Sequence, residues 1–453
     1  MAGGNGAPGP GEGASAGNGA PVAAYRGEIL HFVGDPAVLG DAAHRHHADG
    51  VLVVRDGKVA AAGAAEAVLP TLPPGAKVTD YRGKLIMPGF VDTHVHYAQT
   101  DIIASCGAQL LDWLERYTFP AEARFADPVH AAEVADFFVR ELLGNGTTTA
   151  MVFATSHPAS VDAIFAAAHA RSMRLVAGKV LMDRNVPASV RDTAEGGFDD
   201  SRALIGKWHG RGRLSYAVTP RFAPTSTERQ LALCGRLLDE HPGVFLQSHV
   251  AENRGEVAWV AELFPWSRSY LDVYDHFGLL RERAVYAHCI HLDAQDRRRM
   301  AETGAAMSFC PTSNLFLGSG LFDLKAAADS GVRVGLGTDV GGGTSFSLLR
   351  TLDEAYKVTQ MAGQTLSPLC AFHLATLGGA ASLRLDDRIG NLETGKEADF
   401  IVLDLAATPL LARRIERTVT LAEKLFALMI LGDDRAVHAT YVLGRLAHAR
   451  ADA

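Results

Sequence analysis

Residues 88–96 read Pro88-Gly89-Phe90-Val91-Asp92-Thr93-His94-Val95-His96, and they give the most direct indication of what this chain forms. Successive side chains on a β-strand point to opposite faces, so His94 and His96 are expected on the same face of an extended segment. Two imidazoles that face one point can begin a divalent metal site. The stretch therefore predicts a strand that ends in two metal-competent histidines.

Seven further strand-like runs follow this one, and helix-like segments separate them. The eight predicted strands are 89–96, 147–153, 174–182, 214–221, 244–249, 284–288, 305–310 and 333–339. The predicted helices include 131–143, 228–240 and 254–263. Eight such units over roughly 300 residues are typical of a (β/α)8 barrel. A doubly wound open sheet is the alternative, but no Gly-x-Gly-x-x-Gly motif opens the first unit, which disfavours its dinucleotide-binding form.

Both ends of the chain have a different texture, with short strands and turns. Asp56-Gly57 lies between two apolar runs, which is a hairpin signal, and 398–404 and 439–445 also look like short strands. The sequence therefore predicts an α/β fold with two parts. A TIM-like (β/α)8 barrel takes residues 88–385, and a small composite β-sandwich domain combines residues 23–87 with 386–450.

The Gly- and Ala-rich residues 1–22 have almost nothing to bury and are predicted to form a disordered tail. They lack the basic and apolar regions of a secretory signal. Apolar residues make up 48% of the 453-residue chain and charged residues 21%, which is a globular composition. The net charge of -8, without a basic stripe, argues against nucleic-acid binding, and no apolar run is long enough to span a membrane. Five scattered cysteines without a Cys-x-x-Cys motif indicate a reduced, cytoplasmic protein.

Five metal-competent side chains fall at the ends of predicted strands. His94 and His96 end the first strand, His249 the fifth, His288 the sixth and Asp339 the eighth. The carboxyl ends of all strands meet at one end of a parallel barrel, which is where such enzymes hold their catalytic groups. A lone buried histidine is usually satisfied by hydrogen bonds. Five such groups together favour a metal site, because each is costly to bury without a partner.

The ligand types and one missing lysine favour a single metal ion. Imidazoles with one carboxylate suit Zn²⁺, and Fe²⁺ less often. The fourth predicted strand ends in residues 219–222, Thr-Pro-Arg-Phe, and so lacks the lysine that a carbamate-bridged pair of metals needs; Lys179 lies one strand earlier. Glu252, three residues after His249, is placed for proton transfer. The alternative for Glu252 is a carboxylate that stabilises the N-terminus of the next helix.

Residues 88–96, the His249-x-x-Glu252 pair, His288 and Thr338-Asp339 together resemble the amidohydrolase superfamily in its mononuclear aminohydrolase branch. The resemblance covers about residues 25–445, and residues 395–402 are similar to the segment where that family returns to its small β-domain. A narrower resemblance, to the members of the branch that act on guanine, is carried by segments 111–122, 219–222, 247–254, 310–315, 337–343 and 431–435.

The resemblance implies hydrolytic deamination of guanine to xanthine and ammonia, one Zn²⁺ or Fe²⁺ per chain, and a homodimer. The metal ligands that it implies are His94, His96, His249 and Asp339. It also implies that Glu252 shuttles protons and that Asp339 accepts a proton from the attacking water. His288 would orient that water and stabilise charge at the attacked carbon.

Three substrate contacts are implied by the same resemblance. Gln99 would contact the purine, Arg221 would donate a hydrogen bond to its carbonyl, and Phe222 would pack near the ring. A guanidinium at the rim of a metal pocket can also be expected on chemical grounds to bind a carbonyl oxygen in a fixed geometry. A surface salt bridge is the alternative for Arg221.

Several alternatives to guanine deamination share this metal site. The ring could be a pterin, triazine, cytosine or adenosine-like compound, and only the pocket residues discriminate among them. A hydrolase of cyclic amides would normally need two metals. A non-catalytic protein that kept the barrel would be expected to lose a ligand or the acid/base residue, and here each is present.

Overall fold

The structure of the protein is a computed structural model, and it describes residues 22–106 and 109–451. The tail predicted over residues 1–22 lies outside these residues, except Val22, which begins the first strand. Strands and helices are numbered along the chain. Among the described residues, no helix combines the length and the apolar character that crossing a membrane requires.

The two chain ends together form a seven-stranded sheet. Its strands are β1 (Val22–Phe32), β2 (His44–Arg55), β3 (Lys58–Ala64), β4 (Lys77–Pro88), β14 (Phe400–Asp404), β15 (Val437–Val442) and β16 (Arg445–Ala449). The order across the sheet is β16-β15-β14-β4-β1-β2-β3. The prediction of a small β-domain built from both ends is confirmed.

This sheet folds over onto itself. Three strands lie between β3 and β14, yet the Val59 amide donates to the Lys396 carbonyl and the Ala398 amide to the Gly57 carbonyl, each over 2.9 Å. Neighbouring strands are about 4.8 Å apart, so these bonds could not form across a flat sheet. The fold encloses an apolar cluster in which β1 and β14 contribute aromatic rings.

The middle of the chain forms a parallel barrel. Its strands are β5 (Phe90–His96), β6 (Thr147–Phe153), β7 (Arg174–Gly178), β9 (Leu214–Pro220), β10 (Phe245–Val250), β11 (Ala284–His288), β12 (Ala306–Phe309) and β13 (Arg333–Leu336), with a two-residue β8 (Val180–Leu181) beside β9. Hydrogen bonds join them in the order β13-β12-β11-β10-β9-β7-β6-β5. Bonds from Asp339 N to His94 O (2.9 Å) and from His96 N to Val340 O (3.1 Å) bring the two ends of this order together. The predicted TIM-like barrel is confirmed.

One predicted strand, 174–182, is interrupted in the structure. The amide of Lys179 donates to the hydroxyl of Tyr216 (3.2 Å) instead of to a neighbouring strand, and this separates β7 from β8. The sequence pattern is mostly apolar, and it does not reveal a side-chain acceptor that comes from a later strand.

Helices cover the outside of the barrel and cap its loops. The α-helices are α1 (Pro36–Leu39), α2 (Ala65–Val68), α3 (Leu110–Trp113), α4 (Phe119–Ala123), α5 (Pro128–Gly144), α6 (Pro158–Ala170), α7 (Ala194–Trp208), α8 (Glu228–Glu240), α9 (Arg254–Leu263), α10 (Tyr270–His276), α11 (Ala294–Thr303), α12 (Pro311–Phe316), α13 (Leu324–Asp329), α14 (Leu348–Met361), α15 (Pro368–His373), α16 (Gly379–Ser382), α17 (Pro409–Ile415) and α18 (Leu421–Leu431). Two π-helical turns are Leu114–Thr118 and Leu374–Gly378. The 3-10 turns are Gly40–Ala43, Leu69–Thr71, Tyr97–Ile102, Arg124–Ala126, Ala223–Thr225 and Asp434–Ala436.

An apolar layer fills the amino-terminal half of the barrel. Seven strands contribute one buried side chain each, namely Val91, Met151, Val176, Ala217, Phe245, Val285 and Ala306. Leu383, Leu385 and Ile389 pack against this layer. This layer separates the catalytic end of the barrel from the amino-terminal end, and the predicted site residues lie at the carboxyl ends of the strands.

Candidate active site

Four of the predicted ligand side chains converge at the carboxyl end of the barrel. His94 Nε2 lies 3.2 Å and His96 Nε2 3.4 Å from Asp339 Oδ1. The Nε2 atoms of His96 and His249 are 3.1 Å apart. All four residues are buried or nearly so. Strand alternation on β5 therefore brings both of its histidines to the same point, as predicted, and β10 and the segment after β13 supply the other two groups.

The protonation of these imidazoles suits a cation. His249 Nδ1 donates to the carbonyl of Arg221 (2.7 Å), which leaves the lone pair of Nε2 facing His96. Burial lowers the pKa of His94 to about 3, and it lowers the pKa values of His96 and His249 well below the usual range. Among the residues that the structure describes, none is a hydrogen-bond partner of His94 Nε2. Neutral nitrogens with free lone pairs beside a carboxylate fit a divalent metal ion.

His288 lies in the same cluster but presents a proton. Its ring is one of three whose ligand atoms, with those of His94 and His249, lie within 4.8 Å of one another. Asn314 Nδ2 donates to His288 Nδ1 (2.8 Å), so the ring proton is on Nε2. That nitrogen lies 3.3 Å from Glu252 Oε2. A protonated nitrogen cannot bind a metal, and this tautomer agrees with the predicted role outside the ligand set.

Asp92 supports the ligands from beneath. Its carboxylate accepts from the amide and hydroxyl of Thr338 (3.1 and 2.5 Å) and from the amide of His94 (3.1 Å). Burial raises the pKa of Asp92 to about 7. These bonds connect the first strand of the barrel with the segment after the last strand, so Asp92 holds His94 and Asp339 in register. The sequence pattern included Asp92 but did not reveal this role.

Glu252 is a buried carboxyl group beside the ligands. Ser319 donates to its Oε1 (2.8 Å), and its backbone amide donates to Glu256 Oε1 (2.5 Å). Burial, with smaller contributions from the charges of Glu256 and Asp339, raises the pKa of Glu252 well above its usual range. A carboxyl group with a raised pKa is suited to act as a general acid.

A cavity opens directly above this cluster, with an empty space of about 410 Å³ that includes its mouth. The lining residues are His96, Gln99, Leu110, Trp113, Leu114, Arg221, Phe222, His249, Glu252, Glu256, His288, Ser313, Leu317, Asp339 and Gly342. The lining combines apolar and aromatic side chains with a larger set of polar and ionisable ones, which suits a flat heteroaromatic ligand that carries polar groups on its edges.

The three predicted substrate contacts all line this cavity. Gln99 is buried and accepts weakly from the Gly341 amide (3.4 Å). Phe222 is buried beside Trp259, with ring centroids 6.3 Å apart. Arg221 is only 2% exposed, and both oxygens of Glu122 accept from its Nη1 (2.8 and 2.9 Å). The alternative of a surface salt bridge for Arg221 is therefore wrong, because the pair is buried.

Lys179 lies outside the lining of the cavity, and its ammonium group pairs with Asp192. No lysine is among the described residues around the ligand cluster. The expectation of a single metal rests on this feature, since a carbamate-bridged pair requires such a lysine.

Four residues near the cavity had no predicted role, namely Glu122, Glu256, Asn314 and Ser319. Glu122 and Asn314 lie inside segments that carried the family resemblance, but their partners are 99 and 26 positions away in the chain. Nothing in local spacing indicates such contacts. Glu256 follows Asn253 by three residues, and an Asn followed by Glu at that spacing, the pattern of a capping box at a helix N-terminus, was the available signal.

Comparison with known proteins identifies the class. The model of the amidohydrolase family matches residues 85–447. Guanine deaminase of Escherichia coli K12 is 51% identical over 423 residues, which are 93% of this chain and 96% of that protein. The structure of the E. coli guanine deaminase superposes with a TM-score of 0.93 at 50% identity, covering 95% of this chain and 100% of that one. The structure of a guanine deaminase from C. acetobutylicum, with guanine bound in its active site, superposes with a TM-score of 0.84 at 28% identity. The match covers 94% of this chain and 99% of that one.

The chain belongs to the amidohydrolase family. Within that family it groups with the guanine deaminases, since the match to them extends over nearly the whole of both chains.

Proposed function

We propose that this protein hydrolyses guanine to xanthine and ammonia. The observation that carries the proposal is the convergence of three neutral imidazoles, the Asp339 carboxylate and the buried Glu252 carboxyl group at the floor of one cavity. The names of its relatives and the guanine in the active site of one of them support the choice of substrate.

A single divalent ion would be held by His94, His96, His249 and Asp339. When bound, it would lower the pKa of a water molecule and so supply hydroxide near neutral pH. Zn²⁺ is the proposed metal, because it suits imidazoles with one carboxylate, and Fe²⁺ suits the same donors less often.

The protein's own groups carry the proton transfers. Asp339 accepts a proton from the water that attacks C2 of guanine, and Glu252 donates its proton to N3, which makes C2 more electrophilic. The Nε2 proton of His288 orients the water and stabilises the charge that develops at C2. The C2–N bond then breaks as Asp339 passes its proton to the amino group, which leaves as ammonia, while Glu252 takes the proton of the C2 hydroxyl, so the C2 carbonyl of xanthine forms and both carboxyl groups return to their starting states.

The walls of the cavity select the ring. Arg221 has donors directed at the cavity and would bind the C6 carbonyl of guanine, since a guanidinium donates without accepting. Gln99 would contact the purine edge and Phe222 would pack beside the ring. Adenine has an amino group at C6 and lacks this acceptor. We further propose, from the family resemblance and the cysteine pattern, that the protein is a cytoplasmic homodimer. Each chain would have two domains, a small β-domain that combines residues 23–87 with 386–450 and a catalytic barrel of residues 88–385.

The test is to incubate metal-analysed protein with guanine and to record both the ultraviolet spectrum and ammonia release. Conversion to xanthine with about one metal per chain is the expected result for one catalytic site. Two metals per chain would contradict the single-metal site. A full metal site without conversion would overturn guanine as the substrate, and a panel of pterins, triazines and cytosine would then identify the ring.

A further inference from the structure

Glu122 and Arg221 form a buried ion pair at the wall of the catalytic cavity. Glu122 is fully buried and Arg221 is 2% exposed. Both carboxylate oxygens accept from the single Nη1 atom of the guanidinium. Among the described residues, the donors on Nε and Nη2 have no acceptor in the protein, and Arg221 lines the cavity. Nη1 of the guanidinium therefore donates to Glu122, and the N–H groups of Nε and Nη2 are left to donate to a ligand.

The same short helix also contacts the face of the guanidinium. The ring of Phe119 lies 5.6 Å from the guanidinium carbon, which is cation–π distance. Phe119 and Glu122 both belong to α4, so one element restrains the plane of the group and its rotation about the side-chain axis. The backbone of Arg221 is held separately, because its carbonyl accepts from His249.

A π-helical turn explains how α4 reaches this position. The turn Leu114–Thr118 directly precedes α4, and Leu114 lines the cavity. In an uninterrupted α-helix, Glu122 would be rotated by roughly 80° from Leu114, whereas one extra residue in the turn reduces this to roughly 20°. The π turn thus brings Glu122 to the side of the helix that faces the cavity.

We infer that Glu122 is a positioning residue for substrate recognition: it fixes the guanidinium of Arg221 so that the free donors meet a ring carbonyl. This inference rests on the proposed function, and it concerns how the C6 carbonyl is recognised. Glu122 itself does not touch the substrate. Removal of the Glu122 carboxylate should therefore weaken the binding of ligands that have a C6 carbonyl and leave the binding of ligands without one almost unchanged.

The experiment compares two competitive inhibitors of guanine turnover. Hypoxanthine has the C6 carbonyl and no C2 amino group to lose, and unsubstituted purine has neither. In Glu122→Gln, the inhibition constant of hypoxanthine should rise about ten- to hundredfold, the value of a hydrogen bond to a charged group. That of purine should change less than about threefold. In Glu122→Ala, which leaves the guanidinium unpaired, the effect on hypoxanthine should be at least as large.

Coupling to Arg221 is the second measurement. If Glu122 acts through Arg221, the double variant Glu122→Gln with Arg221→Ala should bind hypoxanthine as Arg221→Ala does. Glu397→Gln is the matched control, because it also removes a carboxylate from a largely buried arginine pair, at the opposite end of the barrel. It should leave the ratio of the two inhibition constants unchanged.

Each outcome has one meaning. Equal increases for both inhibitors, or additive effects in the double variant, would overturn the positioning role and assign Glu122 to stability alone. If the wild-type protein deaminates guanine but Glu122→Gln leaves the ratio of the hypoxanthine and purine inhibition constants unchanged, the positioning role is overturned and the proposed function stands. Wild-type protein that holds its metal and does not deaminate guanine would overturn the proposed function, and this inference with it.

Discussion

The two ends of the barrel bury charged groups in opposite ways. At the amino-terminal end, Arg174 and Arg213 pair with Glu397, and Arg213 also pairs with Asp399. Burial alone would raise the pKa of Glu397, but the two arginines outweigh it and the pKa is lowered. These charges satisfy one another and join the barrel to the small sheet.

At the carboxyl end the carboxyl groups have few cations to pair with. Burial raises the pKa values of Asp92, Glu252 and Asp339, and the neighbouring imidazoles are neutral. The comparison teaches that a buried cluster whose charges are all paired serves the stability of the fold, whereas a buried cluster with unpaired carboxyl groups and neutral imidazoles can bind a metal ion and a substrate. The following predictions test this contrast, beginning with the largest effect.

Glu252→Gln should lower kcat by about 10²–10⁴-fold, the usual contribution of general acid–base catalysis, because the amide cannot donate and recover a proton. Metal content should remain that of the wild type, since Glu252 is outside the proposed ligand set. Steady-state kinetics with metal analysis check both points. Glu262→Gln, an exposed change on α9, is the control. Normal turnover in Glu252→Gln would remove Glu252 from the mechanism.

Arg213→Ala should reduce the free energy of unfolding by about 3–5 kcal/mol, because it leaves the buried Asp399 carboxylate without its cation and leaves Glu397 with Arg174 alone. Guanine turnover per folded molecule should stay within about twofold, since the cluster lies at the far end of the barrel. Urea unfolding and kinetics on the same sample measure the two effects. A large loss of turnover with unchanged stability would break the contrast between the two ends.

Asn314→Asp should lower kcat by about tenfold, the equivalent of one hydrogen bond of roughly 1.4 kcal/mol. An aspartate accepts the proton of His288 Nδ1 and so moves the ring proton away from Nε2, where it faces Glu252. KM should change little. Asn145→Asp, at the C-terminal cap of α5, is the control, because that amide donates to a backbone carbonyl instead. Unchanged kcat would mean that the tautomer of His288 does not matter.

The smallest effect concerns pH. Because the pKa of Glu397 is lowered in the folded protein, its contribution to stability is present above the unfolded pKa, about 4.3, and is lost as pH falls through the folded value. Glu397→Gln lacks this contribution. Urea midpoints of wild type and variant should therefore differ most near pH 6–7 and approach each other below about pH 4. If the difference between the two urea midpoints instead grew as the pH fell, the pKa of Glu397 would be raised in the folded protein and not lowered.

Much of the barrel followed from the sequence. The strands predicted at 147–153 and 284–288 have those bounds in the structure, since they are buried throughout and are rich in the β-branched and aromatic residues that favour strands. His94 and His96 meet because their spacing matches the period of a strand. The strand predicted at 174–182 is split, because its interruption depends on a tyrosine hydroxyl that arrives from another strand.

The candidate site was also partly visible in the chain. The five metal-competent residues and Glu252 were recognisable because each lies at or just beyond the carboxyl end of a strand, and a parallel barrel brings all these ends together. The sequence by itself thus determined the barrel, the small sheet from both ends and the candidate ligands, since these depend on periodicity and on strand ends.

Only the tertiary structure decided how those groups are tuned. Three hydrogen bonds illustrate this, and each joins residues that are far apart in the chain. His249 Nδ1 donates to the Arg221 carbonyl, Asn314 donates to His288 and so sets its tautomer, and Arg221 donates to Glu122. Such contacts leave no local pattern, because a hydrogen bond between distant positions depends on angles and distances that only packing of the whole barrel establishes.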